Sequence, residues 1–385
     1  MSTKCFAFDY RTGQPVRVEF GAAIEAVDDW VGDSSSIETF IAPGFIDLQV
    51  NGFAGVDYCS PGASLEEISR SIQAQLATGV TRIYPTVITG SEEVMQGAFR
   101  NLVRAKRELP EGSVFEAIHA EGPFISAEDG PRGAHPVTQA RPQSIEEWKR
   151  MQDAAEGNIR LLTMSPEYDG AAKFIDEVVR DGVVVSIGHT KGTAAQIADA
   201  VSAGATMSTH LGNGAHSMLP RHPNYIWDQL AEDRLTASFI VDGIHLSDTF
   251  LKVALRAKGL ERSVLVTDAV MPAGCAPGDY RLGEVDVTLH AAGNVTLRGG
   301  TRLAGSALKM HVGIANLMSR AGLNLRDAVT MATTNAARVG RVAGRMRGLN
   351  PGERADLVEF RLDRETKAIV VERTWVSGKL YYELK

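Results

Sequence analysis

Two histidines each end a run rich in β-branched residues. His189 closes VVVSIGHT (183–190), and 21 positions later His210 closes TMSTHL (206–211). One strand-end histidine is adequately explained as a hydrogen-bonded loop cap. Here, four further apolar runs also end in polar or ionisable residues. GFIDLQV (44–50) carries Asp47 and Gln49, VFEAIHAEG (114–122) carries Glu121, TASFIVDGIH (236–245) ends on His245, and SVLVTDAV (263–270) carries Asp268. Each has a plain alternative: Glu121 as a loop carboxylate, Asp268 as a helix cap, His245 as a solvated side chain. Together they describe a ring of side chains at one mouth.

The chemistry that suits such a ring is metal-assisted hydrolysis. Neutral imidazoles and a carboxylate are favoured Zn²⁺ ligands at roughly 2.0–2.2 Å, and three protein ligands leave a fourth position for water. The metal lowers the pKa of that water towards ~7, and a neighbouring carboxylate can take its proton and deliver it to the leaving group. Glu121, His189 and His210 are the candidate ligands, and Asp268 is the candidate proton shuttle.

The elements that would position these residues alternate regularly. To the runs above are added VTRIYPTVI (80–88) and IRLLTMSPE (159–167), which makes eight candidate strands. Helical patterns separate most of them. In SLEEISRSIQAQLATG, Ser64 and Glu67 stand at capping-box spacing and Gly79 provides the stop. GTAAQIADAVSAG and SDTFLKVALRAKG read the same way, whereas the link between strands six and seven begins as a long irregular stretch. Nearly continuous apolar strands alternating with helices predict a parallel sheet covered by helices. The count and the ~250 residues involved fit a (β/α)₈ TIM barrel, with its active site at the C-terminal strand ends. A doubly wound open sheet is the alternative, but VNGFAGVDY lacks the G-x-G-x-x-G turn that such a sheet uses for phosphate. Residues 1–42 and 346–385 hold short β-like runs, neither segment long enough for its own core. The expectation is a small β-sandwich made from both ends of the chain. The barrel, 43–345, is inserted between them and carries hairpins near 278–300.

Composition narrows the partners. The 385 residues are 44% hydrophobic and 23% charged, with net charge −7, so this is an ordinary globular chain with no basic stripe for nucleic acid. Cys5, Cys59 and Cys275 are far apart and form no C-x-x-C pair, which suits a reducing compartment. The N-terminus lacks an apolar signal core, and no apolar run approaches a membrane span. A cytoplasmic protein is expected, acting on a small molecule rather than on nucleic acid or membrane.

Eight short strings, in order, carry a family resemblance: APGFIDLQVNG (42–52), HAEGPF (119–124), GAH (133–135), GHT (188–190), THLGN (209–213), DGIH (242–245), VTDAVMPAG (266–274) and LAGSALKM (303–310). Singly they are weak; in this order and spacing they resemble the N-acetylglucosamine-6-phosphate deacetylase family of the amidohydrolase superfamily. The closing GERADLVEF and VSGK resemble the superfamily's terminal β-sandwich. The resemblance implies Glu121, His189 and His210 as metal ligands and Asp268 as acid/base. It implies sugar contacts at Ala134, His135, Asn213, Gly214, Asp242, Gly243, Ile244, His245, Leu303, Ala304 and Gly305, a phosphate contact at Arg221, and a homodimer.

Three departures from the family pattern matter. Where many superfamily members carry H-x-H on strand one and hold a second metal, this chain reads Asp47-Leu48-Gln49, with Asn51 following. Amides are poor zinc ligands, so one divalent ion per chain is expected, zinc by the donor set, with Gln49 binding a water beside it. GNGAHSM replaces an Asn-Ala-Met run, and RHPNYIWDQL (221–230) replaces a glycine-rich loop. His216 and His222 in that region read as solvated loop residues. The expected activity is removal of the acetyl group from an N-acetylated amino-sugar 6-phosphate, N-acetyl-D-glucosamine 6-phosphate or an epimer such as N-acetylgalactosamine 6-phosphate. The rivals are a hydantoinase-type cyclic amidase, disfavoured by the absence of a lysine in strand four, and a non-catalytic sugar-phosphate-binding barrel.

Overall fold

Phe45–Val50 (β1) is buried at every position, as a strand covered on both faces must be. The computed structural model, which describes residues 2–282 and 285–385, places seven further strands beside it in chain order. They are Val80–Ile88 (β2), Ile118–Glu121 (β3), Ile159–Met164 (β4), Val184–Ile187 (β5), Met207–Ser208 (β6), Thr236–Ile240 (β7) and Ser263–Val266 (β8), and every neighbouring pair is parallel. The ring closes just past β8, where the Asp268 N–H donates to the Gln49 carbonyl (2.9 Å) and the Asn51 N–H to the Ala269 carbonyl (2.7 Å). A separate buried cluster, which includes Ile46, Leu48, Tyr84, Leu161, Val184, Met207, Ile240, Val264 and Val266, draws on nearly all the strands and fills the barrel. The larger cluster lies between strands and helices.

The helices begin where their caps stand. Leu65–Leu76 starts from the Ser64–Glu67 capping box, Ala194–Ser202 from a second one made by Thr193 and Gln196, and Asp248–Lys258 from the Ser247 hydroxyl. The irregular link after β6 resolves into a short helix, Tyr225–Ala231, capped by Asn224. No helix among the described residues is long and apolar enough to cross a membrane.

Strands from both chain ends form one seven-stranded ladder. Phe40–Pro43 sits at its centre between the N-terminal strands and Leu357–Leu362. The ladder folds over on itself, because Phe20 from its N-terminal side meets Trp375 from its C-terminal side edge to face at 5.5 Å. The result is a small sandwich beside the TIM barrel. The two are joined by a buried ion cluster: Asp356 accepts from Arg82 of β2 (2.7 and 2.9 Å), from Arg345 (2.7 Å) and from Arg354 (2.9 Å). After β8 comes a four-stranded antiparallel sheet, Gly278–Leu282, Val285–Leu289, Asn294–Leu297 and Leu303–Ser306. Residues 283 and 284 of the expected hairpin region lie outside the described residues.

Candidate active site

At the C-terminal end of the barrel three side chains converge. Glu121 Oε1 lies 3.0 Å from His189 Nε2 and 3.0 Å from His210 Nε2, and the two imidazole nitrogens are 3.1 Å apart. All three residues are buried, and they form the one His/Cys/Asp/Glu group among the described residues with the spacing to hold a metal ion. His189 Nδ1 donates to the Pro131 carbonyl (2.9 Å), which leaves the lone pair of the neutral ring on Nε2, directed at the cluster. Two imidazole nitrogens and a carboxylate oxygen aimed at one point fit a divalent cation. Burial pushes the Glu121 carboxyl upward, but the imidazoles of His189 and His210 against it outweigh that and hold it well below the usual carboxylate range.

The local backbone explains how short strands deliver these groups. His189, His210 and Asp268 each stand two residues past the ends of β5, β6 and β8, and all three adopt left-handed φ, +48°, +29° and +49°. Non-glycine residues in that region are strained and cluster at functional sites; here the turn swings each side chain over the mouth. The His189 ring is wedged against two glycines. A Cβ on Gly214 would stand 2.8 Å from its Nδ1, and one on Gly133 would stand 3.2 Å from its Cε1. The His210 backbone N–H is held by Ser238 Oγ at 2.8 Å, while its ring Nδ1 is buried without a partner.

Asp268 stands across Gln49 from this cluster. The Gln49 amide donates to Glu121 Oε1 (2.9 Å) and to Asp268 Oδ1 (3.1 Å), and Asn51 Nδ2 donates to the same Asp268 oxygen at 2.7 Å. Burial, then the charge of Glu121, raises the Asp268 carboxyl to about 6, against the opposite pull of His210 and His245. Asp47, expected at the mouth, does not join the ring. Its oxygens are taken by the Thr267 hydroxyl (2.5 Å) and N–H (3.2 Å) and by the Gln49 N–H (3.3 Å), and burial lifts its carboxyl to about 7.

The remaining candidates lie at graded distances. His135 is buried with its ring 4.3 Å from that of His189 and its Nδ1 2.9 Å from Thr89 Oγ1. Burial and then His189 depress it to about 3. Ala134 beside it is exposed. Asn213 donates to the His210 carbonyl at 3.3 Å. Asp242 folds its own loop, accepting from the Ile244 and His245 N–H groups (2.8 Å each) and from His245 Nδ1 (2.6 Å), with Gly243 exposed between them. Leu303, Ala304 and Gly305 form a strand whose last residue, Ser306, bonds to the Asp268 carbonyl at 3.3 Å. Arg221 is exposed, and its guanidinium has no bonding partner among the described residues. His222 is exposed as expected. His216 is not simply solvated: its Nδ1 meets Tyr225 Oη and its Nε2 meets Glu128 Oε1, both at 2.9 Å, because the loops after β3 and β6 pack together.

The amidohydrolase family model matches residues 40–381, from the strand that enters the barrel to the last strand of the sandwich. The chain belongs to the amidohydrolase family. It is 34% identical over 354 residues to N-acetylglucosamine-6-phosphate deacetylase of Caenorhabditis elegans, covering 88% of this chain and 82% of that protein. It is 32% identical over 360 residues to N-acetylgalactosamine-6-phosphate deacetylase of Shewanella sp. (strain ANA-3), covering 92% and 87%. A solved structure similar to it is N-acetyl-D-glucosamine-6-phosphate deacetylase from Mycobacterium smegmatis, an aspartate-to-alanine mutant in complex with N-acetyl-D-glucosamine-6-phosphate. The TM-score is 0.88 and the identity 28%, covering 98% and 99% of the two chains.

Several residues of this amidohydrolase's site escaped the sequence reading. His119, two positions before Glu121, is fully enclosed, donates from Nδ1 to the Leu48 carbonyl (3.1 Å) and accepts at Nε2 from Thr163 (2.7 Å). Thr163 continues to Thr209 (2.7 Å) and Ser186 (2.6 Å), a hydrogen-bonded floor across β3 to β6. The signal was present, since these hydroxyls interrupt otherwise apolar strands, but a lone Thr or Ser in a strand does not announce its partner.

Proposed function

We propose that this amidohydrolase hydrolyses the acetamide of N-acetyl-D-glucosamine 6-phosphate, releasing acetate and glucosamine 6-phosphate. The observation that carries this reading is the joint geometry of Glu121, His189 and His210, with Asp268 held beside them through Gln49. A divalent cation held by the three ligands supplies Lewis-acid polarisation of the acetyl carbonyl and makes water more acidic. Asp268 accepts a proton from the water whose oxygen adds to the carbonyl carbon. It then passes that proton to the nitrogen as the C–N bond breaks, so that a neutral amine leaves. His135, buried with its ring against that of His189 and its Nδ1 2.9 Å from Thr89 Oγ1, is the candidate donor to the carbonyl oxygen through Nε2.

The sugar lies against Ala134, Asn213, Gly214, the Asp242–His245 turn and Leu303–Gly305, with Arg221 free to pair with the phosphate dianion. Similarity to the Shewanella enzyme favours a second substrate, the galactosamine epimer, over the same residues. A sugar-phosphate-binding barrel without catalysis would have no use for a shuttle carboxylate beside three metal ligands. Zinc as the metal, one ion per chain and a homodimer complete the reading; elemental analysis and light scattering test them. The unpaired thiols of Cys5, Cys59 and Cys275 suit the cytoplasm.

The test is acetate release from a panel of both N-acetylhexosamine 6-phosphates and their unphosphorylated forms, run with metal analysis. Turnover is expected on all of them, and far more efficient on the phosphorylated sugars. Metal-loaded protein that releases no acetate from any of them would overturn the proposal.

A further inference from the structure

Asp268 presents its two oxygens very differently. Oδ1 receives two amide donors, Asn51 Nδ2 at 2.7 Å and Gln49 Nε2 at 3.1 Å, whereas no described residue donates to Oδ2. The stronger of these donors comes from a rigid position. The Asn51 backbone is clamped on both sides, its N–H to the Ala269 carbonyl (2.7 Å) and its carbonyl to the Tyr58 N–H (2.9 Å). The side chain is buried, 5% exposed, so it has no solvent to share its bonds with.

The other end of the Asn51 amide supplies an independent observation. Its Oδ1 is buried and has no partner. Buried polar atoms are almost always satisfied, and one that is not needs a reason. Turning the amide over would set its oxygen against the Asp268 carboxylate and orphan the NH₂ group instead. The orientation is therefore dictated by Asp268, and the side chain leaves an acceptor unused in order to donate there.

From this arrangement we infer that Asn51 is a positioning residue for the proton shuttle. With Gln49 it forms an amide clamp that commits Asp268 Oδ1 to alignment and reserves Oδ2 for the proton. The chemistry follows from the inventory of donors and acceptors. A carboxylic acid protonated on Oδ2 keeps Oδ1 as an acceptor, so both clamp bonds survive the gain and loss of the proton. Protonation on Oδ1 would place a third hydrogen among two N–H groups and break the clamp. The proton from water thus enters and leaves through one oxygen whose direction does not change during the cycle. Gln49, which also donates to Glu121 Oε1, ties that direction to the metal ligands. The inference rests on the proposed acid/base role of Asp268, and the experiment keeps the two separable.

The test is a double-mutant cycle with Asn51→Leu, close in shape and without a donor, and Asp268→Asn, measured by acetate release together with metal content. Supporting groups of this kind cost roughly 10–100-fold in activity when removed. Asn51→Leu is expected to lower kcat by about that factor, with KM and metal content near the parent. In the Asp268→Asn background it should add less than about a twofold loss, because the group it aligns is already silent. A melting curve close to that of the parent, taken on the same preparation, guards against misfolding of the leucine variant. Full multiplication of the two losses, loss of metal in step with kcat, or unchanged kcat in Asn51→Leu would each overturn the clamp. An Asp268→Asn enzyme that stays active would overturn the acid/base reading itself, and the clamp with it.

Discussion

Replacing Asp268 by asparagine separates proton transfer from the other things this residue does. Asparagine has nearly the same shape, and its Oδ1 still accepts the 2.7 and 3.1 Å bonds from Asn51 and Gln49. The left-handed backbone at this position, φ +49°, is one that asparagine tolerates well. Burial and the charge of Glu121 both work against the carboxylate form of Asp268, so removing its charge relieves a repulsion and leaves the fold at least as stable. Only the capacity to take up a proton is lost. General acid–base catalysis contributes roughly 10²–10⁴-fold, which corresponds to about 2.7–5.4 kcal/mol of activation free energy at 1.36 kcal/mol per decade. The expected outcome is a fall in kcat of that size with little change in KM, since the lost interaction belongs to the transition state. Initial rates of acetate release at saturating substrate, with metal analysis and a melting curve on the same preparation, measure it. A variant that keeps its metal and turns over within a few-fold of the parent refutes the reasoning. Asparagine is itself a good cap, and that result would leave Asp268 with a structural part only.

Three further outcomes follow from the same geometry. His210→Ala removes one of the three ligand atoms and should lose most of the bound ion, parent protein holding about one per chain by the donor count; two tightly held ions would contradict a mononuclear site. Arg221→Ala should raise KM strongly for the phosphorylated sugar and hardly at all for the unphosphorylated one, which lacks the dianion the guanidinium pairs with; equal losses on both would give the 221–230 loop another role. Asp356→Ala strips the shared anion from Arg82 and Arg345, all three buried, and breaking such a cluster costs about 3–5 kcal/mol, read as a fall in the urea midpoint. Burial works against the Asp356 carboxylate, but Arg345 and then Arg82 hold its pKa far below the ordinary value. The parent's advantage over the variant should therefore be complete above about pH 5 and shrink as pH falls below about 4, the unfolded value; an advantage independent of pH down to acid unfolding would rule the ion cluster out as its source.

What the amino-acid sequence determined by itself is local and periodic. Continuous apolar runs such as Phe45–Val50 declare strands buried on both faces, and Ser64 with Glu67 marks a helix start, because burial and capping act between residues a few positions apart. Strand order then follows from the alternation, and with it the shared mouth of Glu121, His189, His210 and Asp268. The tertiary structure alone decided what each polar group faces. Glu121 and His210 are 89 positions apart, and Asn51 and Asp268 are 217 apart; their meeting depends on ring closure and on the left-handed turns after β5, β6 and β8. Asp47 looked equivalent to Gln49, yet it is consumed by Thr267. His216 looked solvated, yet loop packing gave it Tyr225 and Glu128. Hydrophobic pattern specifies which way a side chain points along its own strand, whereas the partner of a buried polar group is set by whichever distant segment closes over it.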